Sequence, residues 1–299
     1  MILASAISTF QAIVLGVLQG VTELFPISSL GHTVLFPTLF GWHNIVAWQS
    51  EPESPWLAFV VMLHVGSAVG LLIYFWRDWV AIVRAFFATL GKRRIETPTE
   101  RLAWLIVIAT IPVGILGLLL EHPIRVALAK PIYASVFLVV NGVILIWAER
   151  FRRRSDVRAL AVREGLNADG ARDLDTMTYR EAGVLGLVQS TALIAGISRD
   201  GVVMTGGLVR GLDNSDAARF AFLLATPPIL AAGVLKIGDL TGHLGNNGIR
   251  GAALIAAVFA AATAVLTVHF LTRFFKHGNL RPFGVYCILF GAAMVIYNA

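Results

Sequence analysis

The chain has 299 residues, 57% of them hydrophobic and 14% charged, with a mean hydropathy of +0.76. This composition lies far outside the soluble globular range and implies an integral membrane protein. The net charge of +6 gathers in the connections between apolar segments, where it orients a membrane chain, so nucleic acid is not an expected partner. A single cysteine, Cys287, excludes an internal disulfide and a Cys-based metal site.

Met1 to Thr9 carries no Lys or Arg and leads to no small-residue cleavage site, so no cleavable signal peptide is expected. The first apolar stretch, about Ile7 to Phe40, is too long for one span and too short for two. It is broken by QGVTELFPISSLGH at residues 19–32, and half-helices of about 15 residues reach only ~22 Å. A re-entrant helical hairpin follows. Three spans of roughly 20 residues come next, about Pro55 to Trp76, Arg101 to Leu120 and Pro131 to Glu149. Residues 151–180 form a charged loop, expected to be a solvated excursion and not a second domain. A second broken stretch, about Ala182 to Val209, reads as another hairpin, and Ala217 to Ile237, Arg250 to Thr272 and Leu280 to Asn298 are the last three spans.

The two broken stretches resemble each other. LGVLQGVTELFPISSLG (residues 15–31) and LGLVQSTALIAGISRDG (residues 185–201) align at a constant offset of 170, matching Gln19 to Gln189, Ser28 to Ser198 and Gly31 to Gly201. One membrane domain made of two internal repeats is implied, about 1–150 and 181–299. Each repeat is a hairpin plus three spans, and an odd number of spans inverts the second copy. The fold class expected is therefore all-α: six transmembrane helices plus two re-entrant hairpins as inverted-topology repeats. Cations at Arg77, Arg84 and Lys92 to Arg101, at Arg150 to Arg180, and at Arg273, Lys276 and Arg281 fall on one face, which the positive-inside rule makes cytoplasmic.

Polar residues at the hairpin tips call for a purpose. Gln19 and Glu23, spaced i, i+4, share a helix face. Pro26 breaks the half-helix, and Ser28 or Ser29 can cap the next one, aiming its positive dipole end into the interior. Ser198, Arg199, Asp200 and Gly201 repeat the arrangement, with Arg199 at the place of Ser29. A guanidinium fork suits phosphate or carboxylate. The residues themselves favour an anion-handling site and leave structural polar pairing as the alternative.

QGVTELFPISSLGH and GISRDG within duplicated hairpins resemble the undecaprenyl-diphosphatase family of bacitracin-resistance membrane phosphatases, over essentially the whole chain. The resemblance implies dephosphorylation of undecaprenyl diphosphate to the monophosphate, recycling the lipid carrier of cell-wall polymers, at a site open to the extracytoplasmic face of the bacterial plasma membrane. It also implies a divalent cation, Mg²⁺ or Ca²⁺, held by Gln19 and Glu23. Ser28, Ser198, Arg199, Asp200 and Gly201 would contact the substrate, with Ser29 as nucleophile and His32 taking its proton or attacking in its place. Catalytic roles thus fall to Glu23, Ser29, His32 and Arg199. The second motif departs from the family pattern PGxSRSxxT, with Ala195, Asp200 and Val203 replacing Pro, Ser and Thr. The partners implied are a polyprenyl diphosphate and the bilayer, with a homodimer left open. A transporter or flippase is the rival reading, since inverted repeats with broken helices also build transporters, and a non-catalytic membrane scaffold is a third.

Overall fold

The computed structural model describes residues 7–50, 56–128, 130–154, 172–235 and 249–299. The connection at 239–247 and the loop cations Arg158 and Arg163 lie outside the described residues. In chain order the helices are α1 (Thr9–Thr22), α2 (Ser29–Leu39), α3 (His43–Ser50), α4 (Trp56–Tyr74), α5 (Trp76–Lys92), α6 (Pro98–Leu128), α7 (Pro131–Arg154), α8 (Tyr179–Gln189), α9 (Arg199–Val209), α10 (Asn214–Leu235), α11 (Ile249–Phe274) and α12 (Arg281–Asn298). No strand occurs among the described residues. Six helices are long and apolar enough to cross a membrane: Trp56–Tyr74, Pro98–Leu120, Pro131–Phe151, Asn214–Leu235, Ile249–Phe274 and Arg281–Asn298. They match the six spans expected from the sequence, and the chain is an all-α, multi-pass membrane protein. Their outward faces are apolar, as lipid requires: Ile111, Ile115 and Leu118 of α6 and Leu254, Val258 and Leu266 of α11 are all exposed.

Two pairs of short helices, α1 with α2 and α8 with α9, stand apart from these spans. Both pairs open on capping boxes, Ser8 with Gln11 and Thr178 with Glu181, which satisfy the first orphan N–H groups of each helix. These boxes are themselves related by the offset of 170. Gly16 of α1 packs on the carbonyl of Ala256 in α11, and its counterpart Gly186 of α8 packs on the carbonyl of Ala109 in α6. A methyl group at either glycine would lie 2.4 Å from that oxygen, so only glycine permits the approach. Residues matched in sequence therefore make matching tertiary contacts.

The cation-bearing connections converge at one end. Arg101 donates to the Met177 carbonyl at 2.8 Å, Arg219 pairs with Asp78 at 2.6 Å, and Asn214 donates to the Gly278 carbonyl at 3.2 Å. The first connection is not a loop, however. It is the helix α5, whose Val80, Val83, Phe87 and Leu90 form an exposed apolar stripe beside Arg77 and Arg84. An amphipathic helix of this kind suits the boundary between lipid and water, and it is too charged to score as a span.

Candidate active site

The site forms where the breaks of the two short-helix pairs touch. In the first pair, α1 ends at Thr22 and Glu23 caps it. Ser28 then adopts a positive φ of 70°, rare for an L-residue, and its hydroxyl accepts from Gly31 N at 3.2 Å to start α2. In the second pair, Gly196 turns the chain at φ 103° and Ser198 accepts from Gly201 N at 3.1 Å to start α9. Ser28 and Ser198 are thus equivalent N-caps. The helix starts they cap bring two positive dipole ends to one place, a setting that favours an anion.

Two side chains join the breaks. Ser28 Oγ also accepts from Gly196 N at 3.1 Å. Asn141, buried in the middle of α7, donates from Nδ2 to the Pro26 carbonyl at 2.9 Å and accepts on Oδ1 from Ser198 N at 3.0 Å. Asn141→Leu leaves a buried carbonyl and a buried N–H without partners, at about 1–3 kcal/mol each. We expect its apparent melting temperature in detergent to fall by on the order of 5 °C. An unchanged melting curve would show that the two breaks hold without this link.

Glu23 is the centre of the arrangement. Its Oε1 accepts from the Arg199 guanidinium. Its Oε2 accepts from the Ser29 hydroxyl and from Gln19 Nε2 at 2.9 Å, and His64 Nε2 of α4 lies 3.4 Å from the same oxygen. Arg199 also donates from its Nη1 to the Ala225 carbonyl of α10 at 2.9 Å, in the turn interrupted by Pro227 and Pro228. Asp200 is buried, with Oδ1 3.7 Å from Arg199 Nε and no hydrogen bond to either carboxylate oxygen. The fold therefore brings Gln19, Glu23, Ser29, Arg199 and His64 into direct contact.

His32 stands apart from the Ser29 hydroxyl. Its Nδ1 is 2.7 Å from the Ser28 carbonyl, which can only accept, so Nδ1 donates and Nε2 accepts from the Tyr286 hydroxyl at 2.8 Å. The ring stacks with Tyr286 and Phe290. Ser28, Ser198 and Gly201 are engaged in capping at the helix starts. His64 and Asn141 escape a reading of the hairpin motifs because both sit inside spans. The signal for each is a polar side chain in the middle of an otherwise apolar helix.

The donors also bear on a cation. No group of three or more His, Cys, Asp or Glu occurs among the described residues that could hold a metal by itself. Gln19 Oε1, however, is buried with no partner, beside the Glu23 carboxylate. An amide oxygen and a carboxylate are hard oxygen donors of the kind Mg²⁺ and Ca²⁺ take, and Mg²⁺ commonly completes its shell with substrate phosphate and water.

Comparison with known proteins is consistent with this geometry. The family model "Bacitracin resistance protein BacA" matches residues 12–293. The chain is 49% identical to the undecaprenyl-diphosphatase of Mycolicibacterium paratuberculosis over 98% of each chain. It is 48% identical to that of Mycobacterium avium over 99% of each, and 48% identical to undecaprenyl-diphosphatase 2 of Frankia alni over 96% of each. The chain belongs to the BacA bacitracin-resistance family.

Proposed function

We propose that the chain removes the terminal phosphate of undecaprenyl diphosphate, returning the monophosphate carrier to cell-wall polymer synthesis and so countering bacitracin. The observation that carries the reading is the Glu23 carboxylate, which holds the Ser29 hydroxyl on one oxygen and the Arg199 guanidinium on the other. A weak nucleophile in contact with a base, beside a fixed cation, is the arrangement nucleophilic phosphoryl transfer needs. The curated relatives named undecaprenyl-diphosphatase support the substrate and do not favour the transporter reading.

In the proposed first step, Ser29 Oγ attacks the terminal phosphorus and its proton passes to Glu23 Oε2. The bond between phosphorus and the bridging oxygen breaks, and the lipid monophosphate leaves. Water then attacks the phosphoserine phosphorus, the bond to Ser29 Oγ breaks, Glu23 returns its proton to that oxygen, and both hydrogens of the water leave with the inorganic phosphate. Arg199 and the two helix starts stabilise the charge on the equatorial oxygens. Asp200 orients Arg199 from the Nε side. His32 keeps the Ser28 turn and the start of α2 in place through its two ring nitrogens.

Gln19 and Glu23 would hold a divalent cation, which when bound adds positive charge against the diphosphate. The cation distribution supports a site that opens to the extracytoplasmic side, with the lipid tail lying against the apolar outer faces of the helices. The test is release of inorganic phosphate from undecaprenyl diphosphate by the purified full chain. Release should cease with EDTA and return with Mg²⁺ or Ca²⁺. Movement of intact diphosphate across vesicles without phosphate release would overturn the reading in favour of a flippase.

A further inference from the structure

Helix α5 carries three kinds of chemistry on its sides. Ile82 and Thr89 are buried against the bundle, whereas Trp76, Val80, Val83, Phe87 and Leu90 recur at spacings of three and four and form an exposed apolar stripe. Arg77 and Arg84 stand about a quarter turn round from that stripe. A helix built in this way rests its stripe on acyl chains and holds its cations at the level of the headgroups.

At its C-terminal end the stripe runs into an open groove of about 500 Å³ between α5 and the start of α6, bounded by Thr89, Leu90, Arg93, Arg94, Ile95 and Trp104. The wall is fixed. Trp104 Nε1 donates to the Thr89 hydroxyl at 3.0 Å, and the Trp104 ring packs on Phe86 with centroids 5.2 Å apart. Leu90 and Ile95 are exposed, so nothing in the described chain covers the apolar floor.

Charge at the rim selects what fills it. Lys92 Nζ lies 2.7 Å from Glu96 Oε2 and 2.7 Å from Glu100 Oε1, so both nearby carboxylates are already matched. Arg94 meets Glu96 Oε1 through Nε at 2.7 Å, which leaves its terminal nitrogens unpaired among the described residues. Arg93 ends α5 at φ 54°, and its side chain makes no hydrogen bond or ion pair among the described residues. Three cations against two carboxylates leave the rim positive, with the spare donors on Arg93 and Arg94. A zwitterionic headgroup would bring its own ammonium against them, and free phosphate would leave the floor in contact with water. A second copy related by a two-fold axis through the groove would set like charges face to face.

We propose that this groove binds an anionic phospholipid, its phosphate held by Arg93 and Arg94 and an acyl chain lying on Leu90, Ile95 and Trp104. The site shares no residue with the hairpin breaks and stands independently of the phosphatase reading.

The experiment places the full chain in phosphatidylcholine nanodiscs that contain increasing fractions of phosphatidylglycerol or phosphatidylcholine with brominated acyl chains, which quench tryptophan on contact. Subtracting the signal of Trp104→Phe isolates Trp104 among the seven tryptophans, and thermal melting establishes that each variant is folded. Brominated phosphatidylglycerol should half-quench Trp104 at about a fivefold lower mole fraction than brominated phosphatidylcholine, and the difference should shrink as salt is raised. Arg93→Gln should narrow the difference, and Arg93→Gln combined with Arg94→Gln should erase it. Equal quenching by the two lipids would overturn the proposal, as would a preference that survives both substitutions. Protection of Trp104 from both brominated lipids would mean that protein covers the groove, and would overturn it too.

Discussion

Ser29→Ala should lower phosphate release from undecaprenyl diphosphate by on the order of a thousandfold or more while the protein still binds the lipid. The size of the effect follows from what the hydroxyl does. Ser29 Oγ is bonded to Glu23 Oε2 at the start of α2, so one substitution removes both the proposed attacking atom and the proton that the proposed base would take. Nothing beside it is chemically equivalent. The Ser28 hydroxyl accepts from Gly31 N and Gly196 N, and its backbone sits at φ 70°. His32 has both nitrogens engaged, with the Ser28 carbonyl and the Tyr286 hydroxyl. Folding should survive, because Ser29 makes no cap that Ser28 does not already provide. The check is kcat by phosphate release, together with the mobility of the purified variant on size exclusion. A phosphoenzyme trapped on wild-type Ser29 and absent from Ser29→Ala would complete the case, whereas turnover by Ser29→Ala within tenfold of wild type would remove the residue from the nucleophilic role.

Arg199→Lys should lower kcat/KM by about a hundred- to a thousandfold, the loss typical of removing one preorganised donor from a developing anion. Charge is retained in this variant, so the prediction isolates geometry. Arg199 spans three partners at once: its Nη2 meets Glu23, its Nη1 meets the Ala225 carbonyl of α10, and its Nε faces Asp200 at 3.7 Å. A planar fork can hold this set and still present an edge to phosphate. A lysine ammonium is a compact point charge and cannot. Because the variant keeps a cation beside the buried Glu23 carboxylate, it should remain folded, whereas Arg199→Ala would strip that carboxylate of its guanidinium partner and confound activity with stability. The measurement is kcat/KM on both proteins at matched Mg²⁺. Activity of Arg199→Lys within threefold of wild type would show that charge alone suffices and that the fork has no catalytic use.

The departure at Asp200 acquires a physical setting from these contacts. It replaces a hydroxyl by a carboxylate whose oxygens accept no hydrogen bond and whose ion-pair partner among the described residues is the guanidinium of the preceding residue. A buried carboxylate in that position is tolerable because it shares Arg199 with Glu23.

Much of the architecture was legible in the linear chain because membrane solvent makes it so. In lipid a segment must be helical and apolar over a fixed length, so the six spans could be located from hydropathy alone, and the structure places helices over all of them. The broken stretches were legible for the same reason: Pro26, Gly196 and the flanking serines interrupt a pattern that would otherwise run on. The offset of 170 that linked them in sequence reappears in the capping boxes and in the contacts of Gly16 and Gly186. The helix α5 was not legible, because its stripe of Val80, Val83, Phe87 and Leu90 is interspersed with Arg77, Asp78, Arg84 and Lys92.

Within the site, the sequence by itself determined the residue types, since Glu23, Ser29, His32 and Arg199 are ionisable or nucleophilic groups where lipid would accept none. It could not determine who touches whom. His32 lies three positions after Ser29, and that proximity invited a bond between them. The turn at Ser28 instead carries the His32 ring to Tyr286 of α12, 254 positions away, and turns the Ser29 hydroxyl back to Glu23. His64, Asn141 and Ala225 enter the site from spans far apart in the chain. Helical periodicity is set by neighbours within a few residues, whereas these contacts depend on how whole helices pack, so only the tertiary structure could decide them.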